Sequence, residues 1–233
     1  MNEINFKGLY KMKNKLMIPI VILIAFLFCG AATTALAAEY YFKNITHNIA
    51  GDAAIGEAQL SFTVSQSGSD VLFTFNNSGP KASSITDIYF DDDAPFLLEY
   101  KQFIQSTGVK YTVGAKPEDL SGGSSYSFTS DYSYDSDDPT QPMGINPGES
   151  LGILFAYDDG SNYQGIIDAL LSQGLRVGIH VQGFNTGGSE GFINNPDPDS
   201  PSSGNTVPEP ATLILFGFGL IGIARAGRRT IKK

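Results

Sequence analysis

The residues best suited to acid–base chemistry or metal binding in this 233-residue chain are its two histidines, His47 and His180. His180 belongs to an alternating segment, residues 176–184, whose pattern predicts a β-strand. Successive strand side chains point to opposite faces, so His180 shares a polar face with Arg176 and Gln182. It is either a ligand or general base on that face or, as we favour, an ordinary structural histidine.

Covalent catalysis and zinc binding lack the residues that they need. The one cysteine, Cys29, lies in an apolar N-terminal stretch, and no His-x-x-His or Cys-x-x-Cys spacing occurs. No serine combines the Gly-x-Ser-x-Gly spacing with the strand-to-helix turn of a nucleophile elbow. The sequence therefore predicts no catalytic and no cofactor-binding residue, and we expect a protein that is not an enzyme.

Carboxylates are abundant and clustered, as calcium binding or, for a facing pair, glycoside hydrolysis requires. No segment has the spacing of an EF-hand, and the many acidic residues leave a catalytic pair unselected. Solvated acidic loops are the simpler interpretation, and calcium is the one cofactor kept as an alternative. The calcium candidates are Asp91, Asp92, Asp93, Asp158 and Asp159, and a further cluster comprises Asp135, Asp137 and Asp138.

The central part of the chain is strongly acidic. Residues 39–205 contain 22 acidic and six basic residues, a net charge of −16, against −9 for the whole chain. Such a charge repels phosphates, so nucleic acid is excluded as a partner, and solubility is its simplest role. The chain has no tryptophan, so a sugar-stacking platform would depend on tyrosines such as Tyr126, Tyr132 and Tyr134.

Short alternating segments separated by Gly, Pro and Asn turns predict a mainly β domain, a β-sandwich or jelly roll. The clearest signal is a hairpin with strands at residues 60–65 and 71–76. One short helix is predicted at residues 163–171, with Ser161 as its N-cap and Gly174 as its C-cap. Further strands are predicted at residues 85–90, 97–105, 110–113, 126–131, 151–157 and 175–184.

Residues 1–37 have the features of a helical, cleaved secretory signal. Lysines precede an apolar core, and Ala35, Leu36 and Ala37 supply the small-x-small pattern for cleavage between Ala37 and Ala38. Cleavage there removes Cys29, so we expect the exported chain to contain no thiol. Met12 is an alternative start, because the lysines that follow it suffice for a positive N-terminal region.

The last 27 residues, 207–233, combine a rigid motif, an apolar run and a basic end. Prolines fix φ and remove backbone donors, so the motif is stiff and extended. A helix over residues 211–226 would be about 24 Å long, short of the roughly 30 Å hydrocarbon core, with its basic end cytoplasmic. The motif consists of Val207, Pro208, Glu209 and Pro210.

This tail resembles the PEP-CTERM protein-sorting signal, which combines Val-Pro-Glu-Pro, a Gly-rich apolar span and an Arg-rich end. The resemblance implies a bacterial protein that the secretion machinery exports and signal peptidase trims. It implies a C-terminal transmembrane helix that holds the protein transiently in the inner membrane until an exosortase processes it. It also implies a link to exopolysaccharide at the cell surface or in the extracellular matrix. More weakly, residues 146–184 resemble small PEP-CTERM proteins of unassigned activity.

The predicted organisation is a signal segment at 1–37, a β-sandwich domain at 38–195, a flexible Pro-containing linker at 196–206 and a sorting signal at 207–233. We expect a non-catalytic structural or binding role. Two alternatives stay open. An enzyme acting on polysaccharide requires two facing carboxylates, whereas an ice-binding protein requires a flat, regular array of small or Thr residues.

Overall fold

The structure of the chain is a computed structural model that describes residues 37–93, 96–157 and 160–194. The predicted signal segment before Ala37, the linker, the sorting motif and the apolar C-terminal span lie outside the described residues, as do Asp158 and Asp159. Within the described ranges, no helix is long and apolar enough to cross a membrane.

The described part of the chain is mainly β, as the alternating segments predict. Eleven strands are joined by three α-helices and one 3-10 helix. In chain order they are β1 (Ala38–Tyr41), β2 (Lys43–Asn44), α1 (Ala50–Gln59), β3 (Leu60–Ser67), β4 (Asp70–Asn77), β5 (Ser84–Asp92), β6 (Leu97–Gln105), β7 (Tyr111–Val113), the 3-10 helix (Gly123–Tyr126), β8 (Tyr132–Ser136), α2 (Thr140–Met143), β9 (Ser150–Tyr157), α3 (Tyr163–Ser172), β10 (Leu175–Gln182) and β11 (Glu190–Ile193).

The strands form two antiparallel sheets. One has five strands in the order β1-β3-β4-β9-β6, and the other has six in the order β2-β11-β10-β5-β8-β7. The predicted hairpin is confirmed, because β3 pairs with β4 along its whole length and ends at the pair Ser67 and Asp70. Gly68 occupies the turn with φ of 64°, a left-handed conformation that glycine adopts without a steric penalty.

The two sheets face each other across one aromatic core. Phe73 and Phe155 of the five-stranded sheet each lie 5.1 Å from Phe90 of the six-stranded sheet, measured between ring centroids. Both pairs meet edge to face, the arrangement that the charge distribution of aromatic rings favours. The described residues contain no cysteine. Apolar packing, rather than disulfides, therefore holds the sheets together.

A second apolar cluster lies on the outer face of the six-stranded sheet, beneath residues 114–131, which we call the covering loop. Gly178 of β10 leaves room for this loop, because a Cβ there would lie 2.5 Å from Leu120 Cδ2 and 3.1 Å from Phe128 Cζ. The Tyr89 hydroxyl also donates to the Pro117 carbonyl at 3.0 Å. The cluster consists of Ile45, Tyr89, Ala115, Leu120, Phe128 and Ile193.

Helix α3 contacts β3 of one sheet and β10 of the other, and it closes the core between them. Its Ile166, Ala169 and Leu170 are buried in the main core, as the apolar spacing predicts. The predicted caps are each wrong by one residue. Asn162, rather than Ser161, accepts the N-terminal hydrogen bond, and Gln173, rather than Gly174, is the left-handed C-cap.

The prediction of a single short helix is wrong, because α1 and α2 are also present. Gly56 disrupts the apolar pattern of α1, yet packing requires it, since a Cβ there would lie 2.2 Å from the Phe192 ring. The strand predicted at residues 126–131 is also wrong. Ser127 has φ of 51°, which interrupts an extended backbone, and the segment belongs to the covering loop.

We expect Leu170→Asp to destabilise the fold by about 3–5 kcal/mol, because it removes a fully buried apolar side chain and leaves a buried charge without a partner. Leu171, which is 46% exposed, provides the matched control, and Leu171→Asp should change stability by less than about 0.5 kcal/mol. Urea unfolding of both variants tests this. Equal midpoints for the two would mean that α3 does not contribute to the core.

Candidate functional site

Three titratable side chains lie in one row across the outer face of the six-stranded sheet. His180 of β10 is directly opposite Asp87 of the central strand β5, and Asp87 is directly opposite Asp135 of β8. Directly opposite residues of antiparallel strands have Cβ atoms about 4.5–5.5 Å apart. The sheet therefore brings together residues that are separated by 48 and 45 positions in the sequence.

A β-bulge in β5 directly precedes Asp87. His180 pairs with Asp87, whereas the next residue, Val181, pairs with Ile85, so Thr86 is the extra residue of β5. Because of this extra residue, both Ile85 and Ile88 belong to the main core while Asp87 lies between them on the outer face. Asp87 thus keeps the outward position that follows from the alternation of Ile88 and Tyr89, and the bulge turns Ile85 inward.

The hydrogen bonds around Asp87 fix the orientation of His180. His180 Nδ1 lies 3.0 Å from Asp87 Oδ2, which also accepts from Thr86 Oγ1 at 2.8 Å. An ionised carboxylate only accepts hydrogen bonds, so Nδ1–H is the donor in this contact. The Asp87 side chain is 3% exposed and that of His180 is 16% exposed. Among the described residues, Nε2 has no hydrogen-bond partner.

The pKa of Asp135 is raised by its surroundings in the sheet. Burial, followed by the charge of Asp87 and a hydrogen bond with it, raises the pKa of Asp135 to about 6. Asp138 raises this pKa further, and Lys116 opposes the shift. Below about pH 6 Asp135 is therefore protonated and can donate a hydrogen bond to Asp87, as expected of a carboxyl group held close to a like charge.

Two irregular segments border this row. On one side is the covering loop, which packs closely against Gly191, the residue opposite His180 on β11. A Cβ at Gly191 would lie only 2.6 Å from the Ser121 carbonyl of this loop. On the other side is α2. Ser84 Oγ of β5 donates a 2.9 Å hydrogen bond to the Gln141 carbonyl of this helix. We call the row between these segments, consisting of Asp87, Asp135 and His180, the polar trough.

Two of the first three calcium candidates, Asp91 and Asp92, are engaged with protein groups. Asp91 forms a buried ion pair with Arg176 and accepts a 3.1 Å hydrogen bond from the Thr129 amide. Asp92 accepts from the amides of Phe96 and Leu97 at 3.0 Å each. Asp93 is exposed. Burial is the main cause that raises the pKa values of Asp91 and Asp92.

Within the described ranges, no three His, Cys, Asp or Glu side chains are arranged to hold a metal ion. A calcium ion beside β5 would have to displace the Arg176 guanidinium from Asp91 or the backbone amides from Asp92. Asp158 and Asp159 lie outside the described residues, so calcium binding by the predicted set stays a prediction.

Sequence reasoning placed His180 correctly but overlooked its partner. The opposite orientation of His180 and the core residues Val177, Ile179 and Val181 is confirmed by the complete burial of those three. Asp135 was one member of a larger acidic cluster, whereas Asp87 was not singled out. A charged residue inside the apolar run of β5 was the available signal, but the bulge hides its outward orientation.

The tyrosine platform for sugar stacking is not formed. Tyr134 is 1% exposed and belongs to the main core. The ring of Tyr132 packs edge to face on Phe155, with the ring centroids 5.8 Å apart. Tyr126 packs against the second apolar cluster. The other histidine, His47, is exposed, and its backbone amide donates to Asn44 Oδ1 at 2.7 Å. These residues therefore support the fold rather than a site.

Comparison with known proteins identifies the C-terminal segment. A family model described as "PEP-CTERM protein-sorting motif" matches residues 206–229. No curated protein and no solved structure matches the chain. The match confirms the resemblance of the tail and implies export, membrane anchoring before processing, and an exosortase as the processing partner.

We expect Asp135→Asn to stabilise the fold at pH 7 and to have little effect at pH 4. The folded-state pKa of Asp135, about 6, exceeds its ordinary value of 3.8, so its contribution to stability is complete below about pH 4 and lost as pH rises through 6. Asparagine resembles the protonated acid and removes the repulsion from Asp87. The gain at pH 7 should be about 1 kcal/mol, because solvent partly screens the charge of Asp135, which is only half-buried.

Urea unfolding of parent and variant at both pH values tests this expectation, with Asp93→Asn, at the exposed position directly after β5, as a charge-matched control. Equal stabilisation by Asp135→Asn at pH 4 and pH 7 would contradict the proposed coupling of the two carboxyl groups.

Proposed function

We propose that this PEP-CTERM chain is an exported protein, cleaved by an exosortase, whose β domain has a non-catalytic structural or binding role in the exopolysaccharide matrix. The observation that carries the proposal is the sorting-motif match at residues 206–229. Signal peptidase and the secretion machinery act first, and the inner membrane holds the chain until the tail is cut. The product resides at the cell surface or in the extracellular matrix.

The start of the described domain supports this route. Strand β1 begins at Ala38, the first residue after the predicted signal cleavage, and pairs with β3 from Ala38 opposite Val64. Cleavage between Ala37 and Ala38 leaves the whole of β1 in the product. The two facing sheets are then a jelly-roll-like β-sandwich that stays folded outside the cell without disulfides, since the one cysteine precedes the cleavage point.

The charge and the polar trough support a binding role better than a catalytic one. Asp87 is almost fully buried, and its Oδ2 is already bonded to Thr86 and His180, so this carboxylate is poorly accessible as a nucleophile. The net charge of −16 over residues 39–205 keeps the product soluble and repels anionic polymers. Neutral or cationic polysaccharide is the compatible matrix component.

An enzyme that acts on polysaccharide is the second candidate, and one observation favours it. Asp87 and Asp135 are directly opposite on adjacent antiparallel strands. Retaining glycosidases also use two facing carboxyl groups, which lie roughly 5–5.5 Å apart, whereas those of Asp87 and Asp135 are close enough to form a hydrogen bond and would have to separate around a substrate. In such an enzyme one carboxylate attacks the sugar while the other donates a proton to the leaving group.

We expect replacement of Pro208, Glu209 and Pro210 by alanines to hold the unprocessed chain in the inner membrane of a strain with the matching exosortase. The rigid, extended motif offers a membrane enzyme a segment free of competing backbone hydrogen bonds. The parent should lose residues 211–233, as C-terminal peptide mass spectrometry would detect. Alanines at Ser202 and Ser203, in the preceding linker, serve as the control and should leave processing unchanged. Mature parent protein that retains Arg225 would contradict the sorting role.

We expect the purified exported protein to release no reducing ends from matrix polysaccharide, and His180→Ala to behave identically in this assay. The physical reason is that the buried Asp87 is engaged by His180 and Thr86 rather than open to substrate. Reducing-end release by the parent, lost in a folded His180→Ala variant, would replace the binding role with the enzymatic one.

A further inference from the structure

The first strand of the fold begins at the residue that signal cleavage is predicted to expose. Ala37 is exposed, whereas Ala38 is half-buried and packs against the main core. Ala38 is also the first residue of β1, where it lies directly opposite Val64 of β3. The small-x-small pattern places the cleavage between these same two alanines. Cleavage there turns the first backbone amide of the sheet into a free α-amino group.

A tyrosine of α3 closes this end of the sheet. The Tyr163 hydroxyl donates a 3.1 Å hydrogen bond to the carbonyl of Val64. The same hydroxyl accepts a hydrogen bond from the backbone N–H of Ala38. Tyr163 is half-buried beside the main core, as Ala38 is. One side chain thus bridges the first residue of β1 and the residue opposite it on β3.

The surroundings of this hydroxyl suit a positive charge. Burial, followed by the neighbouring Tyr163 and Asp168, raises the pKa of Tyr40. Tyr40 lies two residues after Ala38 and on the same face of β1, so the negative charge of Asp168 acts near the start of this strand. The chain around it is acidic as well, with a net charge of −16 over residues 39–205. An ammonium group at the start of β1 is therefore attracted by its surroundings.

We propose that the Tyr163 hydroxyl binds the α-ammonium group of Ala38, the amine that signal cleavage creates in the exported protein. The ammonium keeps the hydrogen bond that the amide N–H makes to this hydroxyl, and it brings a positive charge and two further donors. A hydrogen bond from a charged donor is shorter and stronger than one from a neutral amide. The inference rests on the proposed export and signal cleavage, and it assigns a binding site to the new chain end.

The contact stabilises a strand that has few other attachments. Strand β1 has four residues and lies at the edge of its sheet, beside β3. Its buried aromatic residue is Tyr40, whose ring stacks on that of Phe62 with the centroids 5.0 Å apart. Chain ends are poorly ordered unless they are tied down. A bound α-ammonium group therefore holds β1 on the sheet once the signal segment has been removed.

The test is acylation of the purified exported protein with limiting N-hydroxysuccinimidyl acetate near neutral pH, followed by peptide mass spectrometry. Only an unprotonated amine reacts, and the Tyr163 hydroxyl stabilises the protonated form. We expect Tyr163→Phe to raise the acylation rate of the Ala38 amine about fivefold, the change that loss of one hydrogen bond produces. The exposed Lys81 of the same molecule provides the internal reference rate.

Tyr157→Phe is the matched control. Tyr157 is also half-buried, and its hydroxyl donates a 3.1 Å hydrogen bond to another strand carbonyl, that of Asp70. This variant loses a similar hydrogen bond but keeps Tyr163, so the Ala38 amine should react within about twofold of the parent rate. Urea unfolding checks that both variants are folded. A second measurement needs no variant, because the Ala38 amine of the parent should react at least about fivefold faster in unfolding urea than in the folded protein.

Four outcomes would overturn this site. The first is an equal acylation rate of the Ala38 amine in the parent and a folded Tyr163→Phe variant, or in the folded and unfolded parent. The second is equal acceleration by both tyrosine variants, which would mean a general loosening of this end of the domain. The third is an exported chain that begins at a residue other than Ala38, which would leave the proposed export and binding role intact. The fourth is an exported chain that retains Cys29, which would overturn the proposed signal cleavage as well.

Discussion

Burial of both faces of β5 is the constraint on which the rest of the structure depends. All nine residues of this strand are buried, although it carries Asp87, Asp91 and Asp92. Its inner face meets the aromatic rings of the five-stranded sheet. Its outer face must be covered by something other than a sheet, and the covering loop fulfils this role over Tyr89. The charged residues of β5 then require partners wherever water is excluded.

The ion pair between Arg176 and Asp91 meets this requirement at one end of the strand. Removal of two charges from water is unfavourable, and their attraction compensates only when further hydrogen bonds complete the site. The guanidinium group supplies these, since it also donates to the Tyr126 carbonyl at 2.8 Å and lies 5.4 Å from the Phe128 ring centroid. Both residues belong to the covering loop, so the same pair that neutralises Asp91 anchors the loop on the sheet.

The elements that were predicted correctly are those that bury one face, so that their apolar residues recur at the spacing of a strand or a helix. The hairpin of β3 and β4 alternates strictly, and α3 repeats apolar residues at helical spacing. Prediction failed where tertiary contacts override local pattern. In α1, Gly56 is required by the Phe192 ring, and residues 126–131 have strand-like side chains but serve as a loop. The trough could not be predicted either, because cross-strand register, which the sequence does not show, places Asp87 beside Asp135 and His180.

Strand β5 stabilises its buried carboxylates differently at Asp91, near its end, and at Asp87, near its middle. Asp91 has an arginine as its partner, whereas Asp87 accepts hydrogen bonds from Thr86 and His180 and faces a second carboxyl group, that of Asp135. A sheet under selection for stability alone would replace one acid of such a pair, because the raised pKa of Asp135 marks a cost of folding near neutral pH. Unfavourable pairs such as these two adjacent carboxyl groups are expected at functional positions. On the outer face of this sheet, the ion pair of Asp91 and Arg176 therefore secures the covering loop, whereas the adjacent pair of Asp87 and Asp135 lowers stability near neutral pH.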